Sequence, residues 1–357
     1  MATIDVLLPV KDGLPYLAAS LDSVCRQSYR DWRLLVLDHG SCDGSLALAR
    51  RYAETDRRIE VHCFPDADGL SGLLNRGLAR CDARYVMRHD ADDVCLPYRM
   101  RASLDAFARH PDVLVVGGLA EVIDAGGCHG GRLRLPVGIG RVSAASFFRN
   151  PFVHPALMMD LAGAARLGAR YGIDFLRAAP LAAPMQVRGL AEDYLLFGQL
   201  AILGRCINLP QQLIRYRWHG NNLSVTRFDE QMRISLDISR FLARSFCALH
   251  GLPRFDPAPF CNHGGKVFDM GAERDFDHAF HDMAASLRRA LGDSAQLRRE
   301  LDFRHILANR SVPRMLGRFA RFAAHNRGET GEWYAVKSWL LRAMPGKACQ
   351  RAGHGLA

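Results

Sequence analysis

The run Asp90-Ala91-Asp92-Asp93 places carboxylates two residues apart directly after a short apolar segment, Tyr85–Met87. A hard divalent cation such as Mg or Mn prefers oxygen ligands, and carboxylates at that spacing beyond a strand end can hold one. A cation so held can bridge to a diphosphate and stabilise charge on a leaving nucleoside diphosphate. The plainer alternative for an isolated Asp-x-Asp is a solvated acidic turn, and the apolar strand in front of this one favours a site. A second acidic pair, Glu192-Asp193, stands at the head of the helix-like stretch Ala191–Leu203, where the helix dipole favours negative charge. Asp38 closes another apolar run and opens Asp38-His-Gly-Ser-Cys-Asp-Gly44. Taken alone, an aspartate there caps its own turn.

The elements that must position these residues alternate over the first 120 residues. Ile4–Val10, Trp32–Leu37, Ile59–Phe64, Tyr85–His89 and Val113–Gly117 read as strands. Tyr16–Gln27, Leu46–Tyr52, Leu70–Ala79 and Arg99–Arg109 carry apolar residues at helical spacing. Strands separated by helices of this length predict βαβ units and a parallel sheet, with ligands beyond the carboxyl ends of the strands. The polar clusters Lys11–Gly13, Asp38–Gly44 and Asp90–Asp93 each follow a strand. Further on, Val153–Met159 and Leu213–Trp218 are strand-like, whereas Glu230–His250, Ala272–Leu291 and Leu297–Ala308 are helical. A boundary near residue 225 divides a first domain, 1–225, from a helical region, 226–357, that is basic from about residue 304.

Composition narrows the classes. The 357 residues are 49% hydrophobic and 24% charged, ordinary values for a globular protein with ample core material. No apolar stretch approaches the roughly 18–20 residues a membrane-crossing helix needs, and Met1-Ala-Thr-Ile-Asp-Val lacks the pattern of a signal peptide. A cytoplasmic protein is expected. The ten cysteines are scattered without a CxxC pair, which suits reduced thiols. Of the net charge of +10, Arg304 to the end supplies +8. Arg310, Arg314, Arg318 and Arg321 recur at helical spacing near Leu316, Phe319, Phe322 and Trp339. Such a face can lie peripherally on an anionic membrane, or form a helical cap with its aromatics packed inward.

The motifs together resemble the family 2 glycosyltransferases over about Ile4 to Ser224. Ile4–Val10 with Pro9 matches the opening strand, and Leu21-Asp-Ser-Val-Cys-Arg-Gln-Ser-Tyr29 the first helix. Leu35-Val-Leu-Asp-His-Gly-Ser-Cys-Asp-Gly44 is similar to the family's Asp-Asp-Gly-Ser-x-Asp-Gly loop. Gly69-Leu-Ser-Gly-Leu-Leu-Asn-Arg-Gly77, Tyr85–Asp93 and Pro97-Tyr-Arg99 resemble the stretch through the metal motif. Asn150-Pro-Phe-Val-His-Pro155, Ala191-Glu-Asp-Tyr-Leu-Leu-Phe and Tyr216-Arg-Trp-His-Gly-Asn-Asn-Leu-Ser224 resemble later family segments.

The resemblance implies an α/β fold: a Rossmann-like GT-A nucleotide-sugar domain with a mainly helical C-terminal extension. It places Pro9, Val10, Lys11, Asp38, Gly69, Asn75, Asp90, Ala91 and Asp92 along the donor. It implies that Asp92 and Asp90 hold Mn or Mg with help from His219. It makes Asp193 the general base, a role a carboxylate near the acceptor hydroxyl can fill, and Glu192 its neighbour. His154 lines the acceptor or donor pocket. His39 stands where a second aspartate is usual, and Lys11-Asp12 where an aromatic and an asparagine are common, so base and ribose contacts differ from the family pattern.

The expected function is therefore inverting transfer of a sugar from a nucleotide-sugar donor, a UDP-sugar in the first instance, to a hydroxyl of a glycan or lipid-linked glycan. Cell-surface polysaccharide or lipopolysaccharide synthesis is the expected setting, and nucleic acid is not an expected partner. Two alternatives compete. A sugar-1-phosphate nucleotidyltransferase needs a glycine-rich basic loop after the first strand, and Lys11-Asp-Gly-Leu-Pro is a poor match. A catalytically silent binding module should lack one acidic motif, and both are present. A dinucleotide oxidoreductase is disfavoured because no G-x-G-x-x-G follows the first strand.

Overall fold

All seven residues of β1, Ile4–Val10, are buried, as a strand covered on both faces requires. Its one charge, Asp5, is matched in place: Arg33 donates to it at 2.9 and 3.0 Å, and the Asp82 and Ala83 amides at 2.9 and 3.1 Å. A buried carboxylate without such partners would be costly. The computed structural model describes residues 2–177, 184–219, 226–262, 275–326 and 333–343. One unit comprises Met1–Ile139, Phe152–Leu176 and Pro184–Thr226; the other comprises Gly140–Pro151, Arg177–Ala183 and Arg227–Ala357.

Among the described residues the first unit is built on a nine-stranded sheet. Its strands are β1, β2 (Trp32–Asp38), β3 (Ile59–Cys63), β4 (Tyr85–Arg88), β5 (Val94–Cys95), β6 (Val115–Ile123), β7 (His129–Leu133), β8 (Met158–Asp160) and β9 (Cys206–Arg217). They lie in the order β3-β2-β1-β4-β8-β6-β9-β5, with β7 beside β6. From β3 to β4 the pairing is parallel. The chain leaves β1 for β2 and β3 on one side and returns to β4 on the other, the kind of switch point at which α/β sheets bind ligands. Val10 lies opposite Asp38 and Leu7 opposite Arg88, so the loops holding Lys11, Asp38 and Asp90 leave one edge. Because β8 runs antiparallel to both β4 and β6 and β9 runs parallel to β6, the end of β9, with Arg217, reaches that edge too.

The sheet is thus mixed, not the parallel sheet that alternating segments predict. The segment Val153–Met159 is not one strand either. His154–Ala156 forms a 3-10 turn with a proline in its first positions, and only Met158–Asp160 pairs. Pro155 has no N–H to give a ladder. The helices of this unit are α1 (Leu14–Cys25), α2 (Ser45–Thr55), α3 (Gly69–Leu78), α4 (Arg99–Arg109), α6 (Leu161–Arg166) and α7 (Glu192–Ile202), and α5 (Ile139–Ala145) opens the second unit's first piece.

The second unit is helical: α8 (Phe228–His250), α9 (Asp277–Leu291), α10 (Ala295–Leu307), α11 (Val312–His325) and α12 (Trp333–Ala343). Phe303, Ile306, Leu307, Met315, Phe322, Val336, Trp339 and Leu340 form one of its cores. Glu300 and Arg304 are both fully buried and paired. Arg304 also donates to the Phe260 carbonyl at 3.1 Å and stacks over Phe148, 4.6 Å from its centroid.

The four arginines expected on one helical face separate. Arg310 precedes α11, is buried, donates to the Pro259 carbonyl at 3.0 Å and lies 3.7 Å over the Trp339 ring. Arg318 donates to the His305 carbonyl at 2.8 Å and pairs with Asp277. Arg314 and Arg321 stay exposed, and Arg314 pairs with Asp275. With Trp339 and Phe322 buried as well, part of this segment serves packing. Among the described residues no helix is long and apolar enough to cross a membrane. Replacing Arg304 by leucine strands the buried Glu300 carboxylate, so R304L should lose about 3–5 kcal/mol of stability, measured by chemical denaturation against the wild type.

Candidate active site

Two loops at the sheet edge knit to each other before any ligand is considered. Asp38 ends β2 almost wholly buried and accepts from the Gly40 amide at 3.0 Å and the Ser41 amide at 3.2 Å. It therefore shapes its own loop, the capping role an aspartate at a strand end can take alone. Asp12 adopts a left-handed backbone, φ 51°, and accepts from the Cys42 amide at 2.7 Å while its own amide donates to Ser41 Oγ at 3.1 Å. The Gly13 amide donates to Ser45 Oγ and the Leu14 amide to Asp43, each at 2.9 Å. Pro9 and Val10 are buried at the end of β1, and Lys11 is exposed beyond them. Ala91 lies under this loop: a Cβ on Gly13 would stand 3.4 Å from that of Ala91. His39, in place of the second aspartate, points its Nε2 at the Ala67 carbonyl, 3.1 Å away.

Beyond β4 the acidic loop is held from behind. His89 is fully buried, with Nδ1 3.4 Å from Cys95 Sγ and Nε2 3.5 Å from Ser23 Oγ. Arg99 donates to the carbonyls of Arg88 (2.7 Å) and Leu157 (3.2 Å), and Ser20 Oγ donates to the Asp90 carbonyl at 2.8 Å. With the backbone so fixed, Asp90, Asp92 and Asp93 each bring a carboxylate oxygen within 4.8 Å of the others. Arg88 pairs with Asp90 and donates to the His89 carbonyl. The end of β9 closes the group: Arg217 donates from its amide to Asp93 Oδ1 and from Nε to the Asp92 carbonyl, both at 2.8 Å. His219 Nε2 lies 3.0 Å from Asp92 Oδ2. The Tyr16 ring stacks on His219, centroids 5.2 Å apart, and under the Arg217 guanidinium at 4.7 Å.

Burial raises the pKa of Asp90 against the opposing pull of Arg88. It lifts Asp93 well above the carboxylate range, with Asp92 and Asp90 adding to the effect. Asp93 Oδ2 is buried with no hydrogen-bond partner among the described residues. Crowded carboxylates with one orphaned oxygen and an imidazole at the rim fit a hard divalent cation such as Mg or Mn. Asp93 was not singled out in the sequence as a ligand, although its place in the Asp-Asp run was visible.

The second acidic pair comes from α7. Ala191 precedes it at φ 56°, a left-handed conformation that costs a non-glycine residue of order 1 kcal/mol or more. Glu192 is buried and Asp193 half-buried. Burial foremost, and the adjacent Asp193, push Glu192 up to about 8, while Arg88 works against them and Asp90 with them. The Asp90 loop and the α7 acids therefore share the field around Arg88. Facing Glu192 is His154, Nδ1 3.7 Å from Oε1. Burial, with Arg88, holds His154 well below the usual imidazole range, and its Nε2 meets Tyr171 Oη at 3.0 Å.

Gly69 and Asn75, assigned to the donor by resemblance, also have a structural use. The Asn75 amide donates to the Tyr171 carbonyl at 3.0 Å and accepts from the Tyr171 amide at 3.1 Å. Ser71 Oγ donates to the Val187 carbonyl at 3.0 Å. Gly69, φ +65°, leaves room for the Arg188 carbonyl, which would stand 2.9 Å from any Cβ. α3 thereby anchors the two segments that bring Tyr171 and Glu192 together. Neither Tyr171 nor Arg88 stands out in the sequence, because each gains its role only from neighbours distant along the chain.

The shift at Glu192 has a stability consequence. The native state keeps its proton up to about 8 against an ordinary 4.5, so between those values the native state binds more protons than the unfolded chain and stability falls as pH rises. A glutamine cannot ionise. E192Q should therefore gain stability over wild type progressively from about pH 5 to pH 8, by about 1–3 kcal/mol at the upper end, and level off above it. Melting curves of the two proteins across that range check this; a difference independent of pH would count against it.

Comparison with known proteins agrees with this geometry. Residues 5–170 match the model of glycosyl transferase family 2. The chain is 26% identical over 248 residues to the O-antigen biosynthesis glycosyltransferase WbnJ of Escherichia coli, covering 68% of this chain and 89% of that one. Among solved structures, S. aureus TarS 1-349 in complex with UDP-GlcNAc superposes with a TM-score of 0.54 at 14% identity, covering 96% of this chain and 90% of that one. Mannosyltransferase PcManGT of Pyrobaculum calidifontis, in complex with GDP-Man and Mn2+, gives 0.51 at 17%, covering 96% and 86%. These two likenesses establish a GT-A fold. With the motif order and paired acids in place, residues 5–170, the heart of the sheet-bearing unit, belong to glycosyl transferase family 2.

Proposed function

We propose that the chain is an inverting, cation-dependent glycosyltransferase that moves a sugar from a nucleotide-sugar donor to an acceptor hydroxyl. The observation that carries this reading is the pair of acidic groups around Arg88: Asp90, Asp92 and Asp93 on one loop, Glu192 and Asp193 on α7. In-line displacement needs a carboxylate to take the acceptor proton and positive charge to receive the departing diphosphate.

Asp193, less buried than Glu192, is the base in this reading. Glu192, carrying its proton at neutral pH, presents its other carboxyl oxygen as an acceptor for a substrate hydroxyl. Asp90 and Asp92, with His219 and the added Asp93, would hold Mg or Mn, which when bound supplies charge neutralisation at the leaving group. Pro9, Val10, Asp38 and Ala91 line the nucleotide side. Lys11 extends beyond them as an exposed cation for the donor phosphates. WbnJ, by its name an O-antigen enzyme, supports a surface-polysaccharide acceptor, and the TarS and PcManGT complexes support UDP- and GDP-sugars as the donors to try first. The loop after β1 is occupied by contacts to Ser41, Cys42, Asp43 and Ser45, and no observation favours a triphosphate cradle there.

The decisive measurement is a melting-temperature series with UDP, GDP, CMP and dTDP, each with and without Mn. The correct nucleotide at about 100 times its Kd should add about 2.7 kcal/mol, and only with the cation. D92N should abolish that cation-dependent shift. D193N should retain it and lose kcat by roughly 10²–10⁴; transfer by D193N at the wild-type rate would remove Asp193 as the base. Proton NMR of the product reads the anomeric configuration, and retention of the donor's configuration would overturn the inverting assignment.

A further inference from the structure

Behind the acidic pair lies a set of groups that the transfer reaction as stated leaves unused. Buried Tyr171 and partly covered His154 lie side by side, and Phe197 packs on both rings, its centroid 6.0 Å from the first and 5.8 Å from the second. His154 Nε2 meets Tyr171 Oη at 3.0 Å and its Nδ1 faces Glu192 Oε1 at 3.7 Å. A small rotation of the carboxyl closes the second gap to a hydrogen bond. The three residues come from three segments: the 3-10 turn before β8, the loop after α6, and the first turn of α7.

We propose that Tyr171 and His154 are positioning residues that form a hydrogen-bond relay behind Glu192 and hold its carboxyl beside Asp193 in either protonation state. A neutral imidazole has one donor and one acceptor nitrogen, and a phenol can donate or accept. When Glu192 is ionised, Nδ1–H donates to it and Nε2 accepts the Tyr171 proton. When Glu192 is protonated, it donates to Nδ1, and Nε2–H donates to Tyr171 Oη. Both arrangements use the same heavy-atom positions, so a change of charge on Glu192 needs no repacking of the relay; in the second, the Tyr171 hydroxyl turns its own proton away from Nε2. The groups that act on Glu192 are Asp193 on its own helix, His154, Tyr171, Arg88 on β4 and Asp90 beyond it. Asn75 matters through this relay, since its amide fixes the Tyr171 backbone from both sides.

The kinetic part of this role rests on the assignment of Asp193 as base, and the test separates the two. Glutamate labelled with 13C at the carboxyl is titrated by NMR in the full chain, the Glu192 signal being assigned by its loss in E192Q. Y171F keeps the ring packing and removes the hydroxyl. Without that acceptor a proton on Nε2 would be an unpaired buried donor, so the imidazole carries it on Nδ1 and favours the carboxylate. The Glu192 midpoint should fall by about one pH unit, and kcat should fall roughly tenfold with donor KM unchanged. H154L removes the donor to the carboxylate, and the midpoint should rise instead. A midpoint unmoved in either folded variant overturns the relay. If Y171F does not fold, H154L alone decides it in the same way. Midpoints that move as stated in a protein that transfers no sugar from any donor would sink the proposed function and leave the relay standing.

Discussion

Five carboxylates gathered around one buried guanidinium are the constraint on which the site depends. Asp90, Asp92 and Asp93 crowd within 4.8 Å, and Arg88, itself buried, pairs with the first of them. Its field reaches Glu192 and His154. Burial first, and like charge held close second, raises the proton affinity of Asp90, Asp93 and Glu192. A chain selected for stability alone would not collect them. The left-handed Ala191 in front of the α7 acids and the orphaned Asp93 oxygen are further local costs of the kind that concentrate at functional sites.

Such a cluster persists because the backbone beneath it is over-determined. The acidic loop is pinned by Ser20, Arg99 and Arg217, each donating to a main-chain carbonyl at its ends or centre. On the opposite side, α3 serves as a peg. Asn75 grips the Tyr171 backbone, Ser71 grips that of Val187, and Gly69 yields space to the Arg188 carbonyl. Preorganisation of this kind fixes charges where a transition state needs them without reorganisation at the moment of reaction. It explains why residues with no contact to a reacting group can matter as much as those that have one.

The helical unit follows a different logic. Three of its arginines are structural: Arg304 neutralises the buried Glu300, Arg310 stacks on Trp339 and Arg318 satisfies the end of α10. A basic composition there does not translate into a basic surface of the same size, because guanidinium groups can be buried against aromatic rings and carbonyls.

The sequence by itself determined most strands and helices of the first 110 residues, since each is a mainly apolar run or a regular helical period bounded by polar turns; the two-residue β5 was too short to leave a pattern. It also determined which loops share an edge, because strand–helix alternation forces their carboxyl ends together. The Asp90–Asp93 and Glu192-Asp193 motifs were legible for the same reason, as acids standing at the ends of apolar elements. Tertiary structure decided the rest. Antiparallel β8 entered the sheet through only three residues after a proline turn, too short a segment to leave a period. Asn75 and Gly69 gained an anchoring role, and Tyr171, His154 and Arg88 acquired a common purpose only when segments 17 to 83 residues apart met in space. Spacing along a chain reports local geometry; the field at a buried carboxylate is summed over neighbours that only folding brings near.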